Sequence, residues 1–244
     1  MSCYGPLALW YDRLTGDVPY PAFADFYEKE FKKNGGDFHL LLDLFCGTGT
    51  LTFEMAERGY EMIAVDGSED MLIKAREKSA DCAVPPLFLC QEASELDLYG
   101  TVDAAFCSLD GINYIPPDEL PLLFHRLKFF IRPGGLFLFD IRSPQWLRSM
   151  DGQIYVDEQE EVLCLWRSEL DEEESCIFYD MDIFSKKGKL WERDEEEHIE
   201  YIYEFDTLKK LLLSEGFCNI RILEDGPQTE LGRISISAER ASEE

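Results

Sequence analysis

Between residues 40 and 140 short apolar runs alternate with stretches of helical spacing. The runs at 40–44, 62–66, 87–90, 102–107 and 136–140 are almost continuous in Leu, Ile, Val, Ala, Phe and Cys. Strands buried on both faces of a parallel sheet read this way, because neither face has to meet water. A helix opening near Thr50 and closing at Arg58-Gly59, and another over 118–130, occupy the intervals. The succession predicts an α/β protein with a doubly wound sheet. Asp206 stands where an N-cap would, ahead of a helix that reaches Glu215 and is stopped by Gly216. Two closing runs, 219–223 and 233–237, read as further strands.

From 146 to 203 the period changes. Segments at 153–156, 162–166, 176–184 and 199–203 read as strands separated by acidic turns such as Asp171-Glu172-Glu173-Glu174. Ser185-Lys186-Lys187-Gly188 has the composition of a hairpin turn. These residues predict a small antiparallel β-sheet inserted in the core. Ahead of residue 39, the aromatic-rich segments 4–14 and 22–28 suggest two helices. The expected division is a helical segment over 1–38, a core made of 39–145 and 204–244, and an insertion over 146–203. The tail from 239 to 244 is polar and is expected to fray.

Candidate chemistry begins where the first run ends. Leu42-Asp43-Leu44-Phe45-Cys46-Gly47-Thr48-Gly49-Thr50 is a strand, a glycine turn and a helix start. Gly47 and Gly49 carry no Cβ, so backbone N–H groups and the helix N-terminus can approach a ligand closely. Asp43 would repel a pyrophosphate but suits an ammonium group, which favours a cationic amino-acid nucleoside over a dinucleotide. A nicotinamide or flavin site would also need a third small residue where Phe53 stands. Asp66 closes the next strand, where a carboxylate can reach ribose hydroxyls.

Segment 42–49 resembles motif I of the class I S-adenosylmethionine-dependent methyltransferases, and the later motifs follow in that family's order through residue 140. Phe45 departs from the family, which has glycine or another small residue there. The resemblance implies a Rossmann-like, doubly wound, seven-stranded and mostly parallel sheet. It also implies S-adenosyl-L-methionine as cofactor and methyl transfer to N or O of a small molecule. Cofactor contacts are implied for Asp43, Phe45, Cys46, Gly47, Thr48 and Gly49, and for Asp66 and Gly67. Met71, in Gly67-Ser68-Glu69-Asp70-Met71-Leu72, would lie against the adenine, with Gln91, Glu92 and Ala93 near its amino group. Ser108 and Asp110 follow the fourth strand.

The whole chain resembles bacterial small-molecule methyltransferases that have an N-terminal lid and an inserted antiparallel sheet near the substrate opening. By that resemblance Tyr11 on the lid faces cofactor and active site, Tyr114 lies beside the methyl group, and His198 belongs to a Glu/His element. These three are the candidate catalytic groups. From the residues alone, Trp10, Tyr11 and Leu14 read equally well as a core stripe, and His198 as a solvent-exposed strand histidine. Asn113-Tyr114-Ile115-Pro116-Pro117 lacks the order of the motif used by nucleic-acid amino methyltransferases.

Charge narrows the partners. The chain carries 50 acidic against 23 basic residues, a formal net charge of −27. A polyanion meets repulsion and no Lys/Arg groove, so nucleic acid is not an expected partner. The acidic surface leaves open a basic protein as methyl acceptor, and a cofactor-binding regulatory or scaffold protein without turnover remains the other alternative. No apolar run has the length of a membrane span, and Met1-Ser2-Cys3-Tyr4-Gly5 does not read as a signal peptide. The eight cysteines show no zinc spacing, and no metal is expected. These features predict a reduced, cytoplasmic protein, monomeric or weakly homodimeric.

Overall fold

The computed structural model describes residues 4–80, 82 and 84–242; expectations resting on residues 1–3 and on the last two residues lie outside them. In chain order the strands are β1 (Leu40–Leu44), β2 (Glu61–Asp66), β3 (Leu87–Cys90), β4 (Val102–Cys107), β5 (Ile131–Arg142), β6 (Ile154–Glu158), β7 (Val162–Asp171), β8 (Cys176–Lys187), β9 (Leu190–Tyr201), β10 (Phe217–Leu223) and β11 (Arg233–Arg240). The helices are α1 (Tyr11–Leu14), α2 (Tyr20–Asn34), α3 (Thr50–Glu57), α4 (Glu69–Ser79), α5 (Leu120–Phe130), α6 (Pro144–Ser149) and α7 (Phe205–Ser214).

Seven strands form one sheet in the order β10-β11-β5-β4-β1-β2-β3. β1 pairs in parallel with β2 and with β4, and β11 runs antiparallel to β5 and β10. The order reverses at β1, so a crevice opens beyond the carboxyl ends of β1 and β4. Alternate side chains of each strand go to opposite faces. Leu42, Leu44, Ala105, Phe137 and Phe139 pack with the apolar sides of α5 and α7. Leu41, Ala104, Phe106 and Leu138 pack with α2 and α3 on the other face. This is the doubly wound Rossmann-like arrangement expected.

Four strands form the second, antiparallel sheet in the order β6-β7-β8-β9. Here the strands outrun their sequence signal. β9 covers Leu190–Tyr201, whereas only 199–203 reads as strand, because its outer half Leu190-Trp191-Glu192-Arg193 is exposed and has no apolar face to show. β8 likewise continues through the supposed turn, and the chain reverses at Gly188-Lys189, with Lys187 paired to Leu190. Asp206 is not the N-cap of α7. Glu204 takes that position and Asp206 lies in the first turn, where its charge faces the positive end of the helix dipole. α5 begins at Leu120 rather than at 118. At the other end of the chain, Glu239 and Arg240 belong to β11 rather than to a frayed tail.

The described residues ahead of β1 pack in two places. α2 lies in the core, with Phe23, Ala24, Tyr27 and Phe31 packed against Met55, Met62 and Phe106. The stretch before it docks on the second sheet instead, where Leu7 and Trp10 join Val162, Cys164, Met181 and Ile183.

One buried ionic cluster ties the last strand to the crevice. Arg233 Nη1 donates to Asp110 at 2.5 Å and also to Asp140, while Asp140 accepts the backbone N–H groups of Leu109 and Asp110 at 3.1 and 2.8 Å. Burial pushes Asp110 up, but Arg233 and Arg142 outweigh it and hold its carboxyl below the usual range. Arg233→Met would leave two buried carboxylates without their shared cation, at a cost of about 3–5 kcal/mol. Urea unfolding should show this as a lower midpoint at unchanged slope. A loss below about 1 kcal/mol, the usual size for an exposed pair, would show that Arg233 does not hold the cluster.

Candidate active site

The glycine turn after β1 reaches into the crevice by left-handed backbone. Phe45, Gly47 and Gly49 have φ of +60°, +54° and +77°. Phe45 sits where the family has a small residue, and a bulky residue in this region is strained. Space for its ring comes from Gly111, where an added Cβ would stand 2.9 Å from Phe45 Cδ2 and 2.8 Å from Cys107 Sγ. A Cβ on Gly47 would meet only Tyr11, at 3.9 Å, since this glycine borders an open cavity.

That cavity holds about 570 Å³, in the range of small-molecule sites. Two carboxylates stand at its inner edge on neighbouring strands. Asp66 accepts the N–H of Gly47 at 2.7 Å and of Ser68 at 2.8 Å, so β2 and the glycine turn share one oxygen pair. Burial still raises its pKa. Asp43 accepts from Thr52 Oγ1 at 2.5 Å, and burial pushes its pKa up to about 7, with Asp66 adding to the rise. Glu92 faces the cavity at the end of β3, its carboxylate close over Gly67.

Residues 4–20 close the outer side. Tyr4, Tyr11 and Tyr20 line the cavity opposite Asp43 and Asp66. Glu196 of β9 accepts the N–H of Tyr4 at 3.1 Å and of Leu7 at 2.7 Å. Trp10 Nε1 donates to Ser185 at 2.8 Å. Asp12 then bridges to the glycine turn, accepting from Thr48, from Thr50 at 3.3 Å and from Lys78 at 2.8 Å. Ser68 Oγ donates to the Tyr4 carbonyl at 3.1 Å, and Tyr4 Oη donates to Tyr114 Oη at 2.8 Å. Burial raises Tyr4, Tyr11 and Tyr114 well above the usual phenol range. Their hydroxyls therefore stay protonated and act through hydrogen bonds.

The cavity brings together Tyr11, Asp43, Phe45, Cys46, Gly47, Thr48, Asp66, Gly67, Met71, Glu92, Ser108 and Tyr114. Gly49 lies just behind, where an added Cβ would press on Phe53, Ala75 and Phe88 at 3.1–3.3 Å. Three other candidates point elsewhere. Gln91 exchanges hydrogen bonds with the backbone of Asp97, Ala93 sits in the main core, and the Asp110 carboxylate turns to Arg233. His198 is not exposed. It is buried beneath Tyr4 and Tyr114, with ring centroids at 4.7 and 6.0 Å, and Nε2 lies 3.0 Å from Glu196. The charged face of β9 in Glu195-Glu196-Glu197-His198 hides this burial in the sequence. Tyr4, Asp12, Ser68 and Glu196 escape sequence reasoning because their roles are contacts between distant segments.

A family model described as a methyltransferase domain matches residues 41–135. Two bacterial relatives carry methyltransferase as a provisional name. YqeM of Bacillus subtilis (strain 168) is 28% identical over 93% of this chain and 91% of its own, and a protein of Geobacillus sp. (strain WCH70) is 30% identical over 91% and 92%. A crystal structure of an S-adenosylmethionine-dependent methyltransferase from Clostridium acetobutylicum ATCC 824 superposes with a TM-score of 0.85 at 27% identity, covering 99% of this chain and all of that one. The chain is a class I S-adenosylmethionine-dependent methyltransferase. The sugar N-methyltransferase KedS8 from Streptoalloteichus sp ATCC 53650 shares the methyltransferase fold at a TM-score of 0.83 and 20% identity, over 99% and 97% of the two chains. S-adenosylmethionine is the cofactor, and no helix among the described residues is long and apolar enough to cross a membrane.

The residues fit that cofactor: Gly47 borders the cavity with no side chain to fill it, and Asp43 meets no cation among the described residues, which leaves its carboxylate for an ammonium group. Asp43 also sets a pH dependence. With its folded pKa near 7 and an unfolded value near 3.9, the folded protein binds the extra proton between those limits. Stability without ligand should therefore fall as pH rises from about 4 to 7, by roughly 2–4 kcal/mol. In Asp43→Asn the fall should shrink by most of that amount. Urea midpoints at pH 5 and pH 7.5 check it, and identical pH slopes in the two proteins would contradict it.

Proposed function

We propose that this methyltransferase transfers a methyl group to N or O of a small molecule that reaches the cavity between Tyr11 and Tyr114. The observation that carries the reading is the enclosure. The segment bearing Tyr4 and Tyr11 is fastened to the glycine turn on one side and to β9 on the other, walling a space of about 570 Å³ fit for a cofactor and a small acceptor. Named relatives support the scale of the acceptor. Rat glycine N-methyltransferase is 30% identical over 46% of this chain, and KedS8 is a sugar N-methyltransferase. The described cysteines are all free thiols, in keeping with a cytoplasmic setting, and the net charge of −27 speaks against nucleic acid.

S-adenosylmethionine supplies a methyl carbon already activated by the sulfonium. The protein has to align nucleophile, carbon and sulfur and to exclude water. In this reading Asp66 holds the ribose hydroxyls, Asp43 answers the ammonium group, and Met71 lies against the adenine. Tyr11 and Tyr114 offer neutral hydroxyls to the acceptor.

Production of S-adenosylhomocysteine from a metabolite pool, compared with purified basic proteins, tests the acceptor class. Turnover is expected with the pool, and turnover only with the proteins would overturn the small-molecule reading. Asp66→Ala should weaken S-adenosylhomocysteine binding by about 1.5–3 kcal/mol, the worth of hydrogen bonds to a charged group. Unchanged calorimetric affinity would remove Asp66 from the site.

The lid has its own test. Buried aromatics that pack over a nucleoside gain by its arrival, so amide exchange across residues 4–18 should slow on adding S-adenosylhomocysteine, while exchange in α2 stays as it was. Equal rates with and without ligand would make the segment plain core.

A further inference from the structure

We infer that the methyl acceptor is a cationic amine and that Glu200 is the residue that selects it. This rests on the small-molecule reading above. Three side chains project from alternate positions of β9 into the interior: Glu196, His198 and Glu200, with exposures of 7%, 1% and 6%. Glu196 is fully engaged by Tyr4, Leu7 and His198. The other two are not, since His198 Nδ1 and Glu200 Oε2 are buried without a hydrogen-bond partner. With His198 Nε2 donating to Glu196, Nδ1 presents a lone pair. Unpaired buried acceptors are rare in folded proteins and call for a missing donor.

The chemistry of that donor follows from the surroundings. An ammonium group has three N–H donors and accepts nothing. Aromatic rings wall the place: Tyr4 and Tyr114 on the cavity side, and Trp166 at 6.4 Å from His198 with Tyr179 packed edge-on against it. Such walls favour a cation over a neutral group of equal size. The nearby arginines face other carboxylates: Arg233 Nη1 is held by Asp110 and Asp140 while its Nε has no hydrogen-bond partner, and Arg142 lies 3.6 Å from Asp110. Glu200 thus adds a carboxyl with no ion pair of its own. Burial and then Asp110 raise its pKa to about 8, against the pull of Arg142 and Arg233.

Tyr4 stands between this place and the cofactor cavity. Its ring lines that cavity on one side and packs edge-on against His198 on the other, so the acceptor reaches Glu200 only when this ring swings aside. Before transfer the ammonium gives one proton to Glu200 or to His198 Nδ1. The freed nitrogen lone pair then bonds to the methyl carbon as the carbon–sulfur bond breaks, leaving neutral S-adenosylhomocysteine and a methylated ammonium.

The test uses binding, so it needs no turnover. The full chain saturated with S-adenosylhomocysteine is titrated by calorimetry with three matched pairs: glucosamine and glucose, cyclohexylamine and cyclohexanol, tyramine and 4-hydroxyphenylethanol. At least one amine should bind tenfold or more tightly than its hydroxyl partner, and Glu200→Gln should abolish that difference while S-adenosylhomocysteine affinity is kept. Glu200→Met, which fills the place without charge, should do the same, and Glu160→Gln on the exposed surface should not. Absence of an amine preference in every pair, or its survival in both Glu200 variants, overturns the inference. Turnover of a hydroxyl acceptor at the wild-type rate in Glu200→Gln also overturns it, yet leaves the methyltransferase reading standing.

Discussion

Two carboxylates are carried to the ends of neighbouring parallel strands at the inner edge of the cavity. Like charges in that position repel, and burial raises both. The fold manages this by giving Asp66 two backbone N–H groups, one from the glycine turn and one from Ser68. The same two bonds fix where the turn stands relative to β2. Everything that lines the cavity is then placed by reference to this joint. The left-handed turn, the start of α3 and the cap of α4 by Ser68, which accepts from Met71 at 3.3 Å, all follow from it.

Ser68 passes the constraint outward. Its hydroxyl holds the Tyr4 carbonyl, the Tyr4 N–H is held by Glu196, and Glu196 is held by His198. A short chain of hydrogen bonds thus joins the cofactor strand of the first sheet to the far edge of the second. Neither sheet could form this side of the cavity alone, which gives the inserted strands a role beyond covering the core. Phe45 shows the same dependence at close range: its strain is tolerable only because Gly111, on another strand's loop, leaves room for the ring.

Much of this was legible in the chain, and the exceptions have physical causes. Strands buried on both faces announce themselves as apolar runs, so β1, β4 and the inner part of β5 were readable, and β2 and β3 showed the same composition although β3 is an edge strand. β9 was not, because exposed acidic residues alternate with buried ones over a length twice its apolar signal. α2 has aromatic residues that fit a lid as well as a core, and only packing against Met55 and Phe106 decides between them. Asp110 belongs by position to the cofactor loop, yet the partner that turns it away, Arg233, lies on the last strand. Period and composition record what a residue is beside in sequence, and these residues take their roles from what they meet across the fold.

The Asp12 contacts carry one more consequence. The carboxylate grips Thr48 and Thr50, which belong to the very turn that receives the cofactor, and Lys78 steadies it from α4. In the proposed placement of the nucleoside, a segment latched there would stand across its way in and out. With the nucleoside in its proposed place, the residence time of the spent cofactor would depend on how fast these few hydrogen bonds break as well as on the depth of the pocket. A surface latch of this kind lets a site bind its cofactor closely and still release it within a catalytic cycle.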